Sequence, residues 1–228
     1  MNRTVDLNAD LGEEITDDIA LLAVVTSANV ACGYHAGSAV IMREVCARAA
    51  ELGVSVGAQV SYADRENFGR VSLDVSHEVL REQVADQVGS LVAIASACGI
   101  SVRYVKPHGA LYHRTIEDPE QAGAVLAGSG SLPVLGMPGE LLSRAVEAGR
   151  AVLREGFPDR AYGADGRLVS RDEPGAVLTD AARIAARAIE LADSVDSVCV
   201  HGDTPGAVDH ARAVRRALEA AGWTLRGL

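Results

Sequence analysis

Short apolar segments rich in β-branched residues alternate along the chain with longer segments whose apolar positions recur at helical spacing. The short segments are TVDLNADL (4–11), SANVAC (27–32), VSVGAQV (54–60), SVRYVKPHG (101–109), LPVLGM (132–137), AVLREGF (151–157) and SVCVHGD (197–203). The helical segments are SAVIMREVCARAAELG (38–53), SHEVLREQVADQVGSLVAIASACG (76–99), PEQAGAVLAG (119–128), ELLSRAVEAG (140–149), TDAARIAARAIELA (179–192) and PGAVDHARAVRRALEAAG (205–222). This alternation predicts βα units around a parallel sheet, because parallel neighbours need a crossover connection. Glycines close several helical segments at the position of a left-handed cap, and Ser76, Asp118 and Thr179 mark starts. GADGRLVSR (163–171) predicts a hairpin or turn after the sixth strand.

An open doubly wound sheet and a closed barrel share this periodicity. The polar residues favour the barrel, since in βα barrels the catalytic groups come from the C-terminal ends of several strands. The first strand carries Asp6, Asn8 and Asp10 on one face by alternation, then Glu13. Three polar groups on a core-facing strand face are costly unless used, although a solvated edge strand would show the same pattern. The second strand leads to ACGYHAGS, where Gly33 and Gly37 bracket His35 and present it on a turn. After the third strand come Tyr62, Asp64, Arg65 and Arg70, in a stretch read as a polar loop in which Arg70 can clamp a carboxylate. The sixth strand gives Glu155, followed by Asp159, Arg160 and Tyr162; the seventh ends in His201 and Asp203. Alternation pairs those last two as a histidine and a carboxylate able to act as acid, base or metal ligand.

The fourth strand stands out by composition. Lys106 is the only lysine beside twenty arginines, and it lies in YVKPHGALYH with His108 on the same strand face. An ammonium is a compact charge that can give up its proton when buried, which a guanidinium does not do. A lysine pointing into a barrel must be paired or functional.

The bulk numbers narrow the class. A chain of 228 residues, 48% hydrophobic and 23% charged, is expected to form one globular domain over residues 1–228. With a net charge of −10, its surface repels nucleic acid and anionic membranes. The four cysteines form no C-x-x-C pair and read as reduced thiols. The N-terminal stretch has no apolar leader segment and no long apolar run follows, so a cytoplasmic enzyme of small-molecule metabolism is expected.

DLNADLGE, SANVACGYHAG, VKPHGALY, DRAY with the following G-x-L-V-x-R pattern, and CVHGD together resemble the LamB/YcsF family, over residues 6 to about 210. The resemblance implies a seven-stranded parallel (β/α) barrel related to glycoside hydrolase/deacetylase-type barrels. It implies the A subunit of an ATP-dependent 5-oxoprolinase, which opens the lactam of 5-oxo-L-proline to L-glutamate together with subunits B and C. The chain departs from the family pattern in a shortened segment after GEE and in EGFPDRAY. It also carries Gln59 and Val60 where the family has His and Pro.

On this basis Asp10, Glu13, His35, Lys106, His108, His201 and Asp203 are expected to be catalytic, and Asn8, Tyr62, Arg70, Glu155 and Arg160 to bind substrate. ATP is expected as co-substrate, with Mg²⁺ held by Asp10, Glu13 or Asp203 alongside nucleotide phosphates; no resident metal is assigned. G-x-x-x-x-G-K-[ST] cannot occur, because proline follows the sole lysine. Two other readings fit the same residues: a divalent-metal hydrolase or deacetylase, and a non-catalytic subunit that binds a small carboxylic acid.

Overall fold

The computed structural model describes residues 3–228, so the first two residues of the expected domain lie outside it. Seven parallel strands close into a barrel: β1 (Arg3–Leu11), β2 (Ser27–Ala31), β3 (Ser55–Val60), β4 (Val102–Pro107), β5 (Val134–Gly136), β6 (Val152–Gly156) and β7 (Ser197–Val200). Each pairs with the next, and β1 joins the ends by pairing with both β7 and β2. Asn8 faces Ser27 on one side and Cys199 on the other. Closure leaves no free edge for the long first strand, whose residues from Val5 onward are all buried.

Helices α1 (Asp18–Leu22), α2 (Ala39–Leu52), α3 (His77–Ala97), α4 (Gly109–Glu117), α5 (Pro119–Gly128), α6 (Glu140–Glu147), α7 (Ala181–Ala192) and α8 (Ala207–Ala220) connect the strands. Their starts follow local chemistry. The side chains of Ser76 and Asp118 accept hydrogen bonds from the first-turn amides of α3 and α5. At α7 the cap is Asp180 and not Thr179, one residue later than expected, because the Asp180 carboxylate accepts from the amide of Arg183. Gly53 closes α2 at φ 68°, a conformation that favours glycine. Apolar residues of the helices pack on the barrel in one continuous cluster, with Leu80, Leu91, Leu111, Ile184 and Leu218 fully buried.

Three elements go beyond the sequence expectation. The five-residue α1 is too short to show a period, and Asp17 caps it. Helix α4 begins directly after His108, inside the stretch read as strand. β4 stops at Pro107, and Gly109 takes φ 60° with its Cα against the carbonyl of Gly69, a place where a side chain would collide. A short β8 (Trp223–Leu225) pairs with the first residues of β1, where β1 extends past its barrel neighbours. The expected hairpin after β6 is present as two antiparallel bridges, Tyr162 with Leu168 and Arg160 with Val177. Among the described residues no helix is long and apolar enough to cross a membrane.

Candidate functional site

Below its mouth the barrel is filled with polar side chains that satisfy one another. Asp6 accepts from the hydroxyls of Thr26 and Ser27, both at 2.7 Å, and from Ser197. Asn8 donates to Ser197 Oγ at 2.6 Å and to Glu155 Oε1 at 3.1 Å, and its own oxygen accepts from Asn29 at 2.7 Å. Tyr104 donates to Asn29 at 2.6 Å, and its ring fills the space left open by Gly57, where any Cβ would overlap it. Burial raises the Asp6 carboxyl to about 6 despite its three hydroxyl donors.

Above this layer the C-terminal ends of the strands surround a cavity of about 400 Å³. Lys106 stands at its floor, almost completely buried, with Nζ 3.0 Å from Asp10 Oδ1, 2.7 Å from Glu155 Oε1 and 3.3 Å from Cys199 Sγ. Burial opposes the charge, but the two carboxylates outweigh it and hold the ammonium well above its usual range. Burial likewise works against the Asp10 carboxylate, and Lys106 prevails, keeping it ionised below the usual range. The ring of Phe157 lies 5.4 Å from Nζ and closes one side of the floor.

Glu13, on the loop after β1, lines the cavity together with Asp10. The amide of Gln59 donates to its Oε1 at 3.0 Å, and Nε2 of His108 and of His35 lie 3.5 and 3.8 Å from the same oxygen. Burial, reinforced by the nearby charges of Asp10 and Asp203, raises Glu13 well above the ordinary carboxylate range. His35 and His108 stack with ring centroids 4.0 Å apart. Burial pushes both imidazoles toward the neutral form, His35 to about 4.

The mouth is ionic. Asp203 receives Arg70 from the loop after β3 and Arg171 from the loop after β6, the latter at 3.1 Å. His201 lines the wall below, its Nδ1 3.0 Å from Asp159 Oδ2 and its ring stacked on Phe157 at 5.0 Å. The same carboxylate accepts from the His201 backbone amide at 3.0 Å. An imidazole held at Nδ1 by a carboxylate presents Nε2 for proton transfer.

Eight of the twelve expected residues line the cavity: Asp10, Glu13, Arg70, Lys106, His108, Arg160, His201 and Asp203. The other four do not. Asn8 and Glu155 lie behind Lys106 and hold its surroundings, and His35 lies behind His108. Tyr62 is fully buried in the core with its hydroxyl donating to Gln121 Oε1 at 2.9 Å, so the polar-loop reading of that position is corrected. The loop's polarity comes from its neighbours, while the Tyr62 ring turns inward. Arg160 reaches the cavity, but its guanidinium donates to the carbonyls of Val169 and Ala176 at 2.6 and 3.3 Å and ties down the loop after β6. The pairing of His201 with Asp203 is also corrected, because β7 ends at Val200 and strand alternation no longer applies beyond it. Asp159, noted in the sequence beside Arg160, is the partner instead. Arg171, Tyr112 and Phe157 also line the cavity and are not marked by the sequence, since an arginine in a turn or an aromatic on an apolar face carries no local signal.

The model of the LamB/YcsF family matches residues 5–228. A protein of Streptomyces coelicolor, named as the A subunit of 5-oxoprolinase, is 53% identical over 242 residues, covering 96% of this chain and 97% of that one. A protein of the same name from Mycobacterium avium is 52% identical, covering 97% and 98%. Among solved structures, a lactam utilization protein from Thermus thermophilus superposes with a TM-score of 0.92 at 36% identity, covering 99% of this chain and all of that one. The catalytic domain of a peptidoglycan N-acetylglucosamine deacetylase from Eubacterium rectale has a TM-score of 0.58 at 12% identity, a likeness of fold alone. The agreement of the family model, the relatives and the barrel makes this chain a member of the LamB/YcsF family.

Proposed function

We propose that this chain is the lactam-handling subunit of an ATP-dependent 5-oxoprolinase, converting 5-oxo-L-proline to L-glutamate with hydrolysis of ATP to ADP and phosphate, in a complex with subunits B and C. The observation that carries this reading is the polarity of the cavity, a buried ammonium at the floor and a pair of guanidiniums at the mouth. A small cyclic amide bearing a carboxylate has complementary ends. Its carboxylate suits Arg70 and Arg171, which form forked hydrogen bonds with such groups. Its amide oxygen, or a phosphate carried on it, suits Lys106.

Amide resonance makes a lactam a poor electrophile, and activation by ATP is the chemical reason for coupling. Opening the ring then needs a cation where negative charge develops, a proton for the departing nitrogen and a base for water. Lys106 meets the first need from a fixed position, since Asp10 and Glu155 leave it no freedom to move. His201, oriented by Asp159, serves the proton transfers, and Asp10 or Asp203 takes the proton of the attacking water. Asn8 and Glu155 act through Lys106 as positioning residues.

Mg²⁺ would accompany the nucleotide phosphates. Of the three carboxylates expected to take it, Asp10 is held by Lys106 and Asp203 by two arginines; only Glu13 meets no lysine or arginine among the described residues. Two imidazoles beside Glu13 are poor company for an ion that prefers oxygen. The described residues therefore offer no evident Mg²⁺ cradle.

The test is ADP and glutamate release by this chain mixed with subunits B and C, with and without 5-oxoproline. Release of both products that depends on 5-oxoproline and on this chain supports the reading. Ring opening without ATP would overturn it.

A further inference from the structure

The imidazoles around Glu13, unsuited to Mg²⁺, have a different use. We propose that Glu13, His35 and His108 form a binding site for a late first-row divalent cation of the zinc type, open to the cavity on its fourth side.

One ligand atom from each of these three residues lies within 4.8 Å of the other two. The two Nε2 atoms lie 3.5 and 3.8 Å from Glu13 Oε1. A tetrahedral ion with bonds of about 2.0–2.1 Å spaces its ligands by roughly 3.4 Å, so the set is close to the separation required. Two nitrogens and one carboxylate oxygen with an open position is the donor set of hydrolytic zinc sites. His35 is 1% exposed. Both of its ring nitrogens lack a hydrogen-bond partner, as do His108 Nδ1 and the oxygen of Gln59 beside it. Buried polar atoms are rarely left unpaired, and of these His35 Nε2, 3.8 Å from Glu13 Oε1, is the one that the ion itself would occupy.

The stacked rings lie 16° from parallel, so both cannot face one ion in their planes as they stand. A turn of one ring about its Cβ–Cγ bond is required, and His108, which borders the cavity, is the one with room to turn. Phe68 walls the pair, edge-on to His35 at 5.7 Å and to His108 at 5.3 Å. It does so at φ 57°, a strained conformation for an aromatic residue. Gln59 leaves its amide donor on Glu13 Oε1, which directs that oxygen and keeps the carboxylate in place.

The experiment uses the untagged chain alone, stripped by chelator, so neither nucleotide nor partner subunits enter the readout. Zn²⁺ is titrated calorimetrically, and Co²⁺ is followed by its visible absorption. The expected result is one equivalent bound and a rise in melting temperature. Glu13→Gln and His108→Asn are expected to weaken binding by more than about 100-fold, since even partners behind the ligands are worth roughly 10- to 100-fold. Circular dichroism of each variant separates loss of the site from loss of the fold, and Glu13→Gln keeps the shape of the residue. Absence of stoichiometric Zn²⁺ and Co²⁺ binding by the parent chain overturns the proposal. So does undiminished binding in both variants, or equal affinity for Mg²⁺. Each of these failures leaves the ATP-coupled reading standing, because that reading is tested by product release in the full complex.

Discussion

Nζ of Lys106 lies 2.7 Å from Oε1 of Glu155, a carboxylate that itself does not reach the cavity. Asp10 stands on the other side of the same ammonium, so Lys106 is shared between two carboxylates and each depends on it for its counter-charge. Lys106→Met keeps the length of the side chain and strands both carboxylates, which is expected to cost about 3–5 kcal/mol. Glu155→Gln leaves Lys106 paired with Asp10 and is expected to cost less. Denaturant unfolding of the two variants and their combination should give a favourable coupling; additive losses would mean that Asp10 alone neutralises the lysine.

Asp6 has an opposite effect on stability. Its folded pKa of about 6 lies above the ordinary value of 3.8, so the native state holds a proton that the unfolded chain releases. Stability from this group is therefore fully present below the unfolded value and declines as pH rises from about 4 to about 6, by roughly 3 kcal/mol. Asp10 and Asp159, held below the usual range, act the other way, and their stabilisation is lost as pH falls. Urea unfolding at a series of pH values, compared between the parent and Asp6→Asn, isolates the Asp6 contribution. The variant should lack the decline between pH 4 and 6; parallel curves would remove Asp6 as its source.

Tyr62 separates a structural residue from a site residue. Tyr62→Phe removes the donor to Gln121 and leaves a buried amide oxygen unpaired, at an expected cost of about 1–3 kcal/mol. Thermal unfolding should report that loss while the affinity for 5-oxoproline stays unchanged, because the ring lies in the core and away from the cavity. A change in affinity at full stability would restore the binding role expected from the sequence.

The same contrast shows how far the sequence is legible. The period of apolar residues gives every barrel strand, because the strand face turned to the helices must be apolar even where the barrel interior is polar. It misses β8, whose three residues are held by pairing with the overhang of β1 and by little of their own. Lys106 is legible because one lysine among arginines is a compositional anomaly that burial then explains. The pair formed by His201 and Asp159 is not, because 42 residues separate the partners and only the parallel pairing of β6 with β7 brings the two strand ends side by side. Local alternation pointed to Asp203, which the structure gives to Arg70 and Arg171.

That assignment leads to a prediction with opposing arms. Asp203 occupies the same guanidinium donors that a substrate carboxylate would need. An anionic ligand must therefore either share them or displace Asp203, and in both cases the aspartate raises the cost of binding. Asp203→Asn removes the competing charge and is expected to tighten 5-oxoproline binding, read by calorimetry on this chain. Arg171→Met removes one of the two forks and is expected to weaken it about tenfold, equivalent to about 1.4 kcal/mol. If Asp203 also takes the proton of the attacking water, Asp203→Asn should lower kcat in the full complex while KM falls, a split that a purely structural aspartate would not produce. Weaker binding in Asp203→Asn would instead mean that the carboxylate's main work is to hold the two arginines in place.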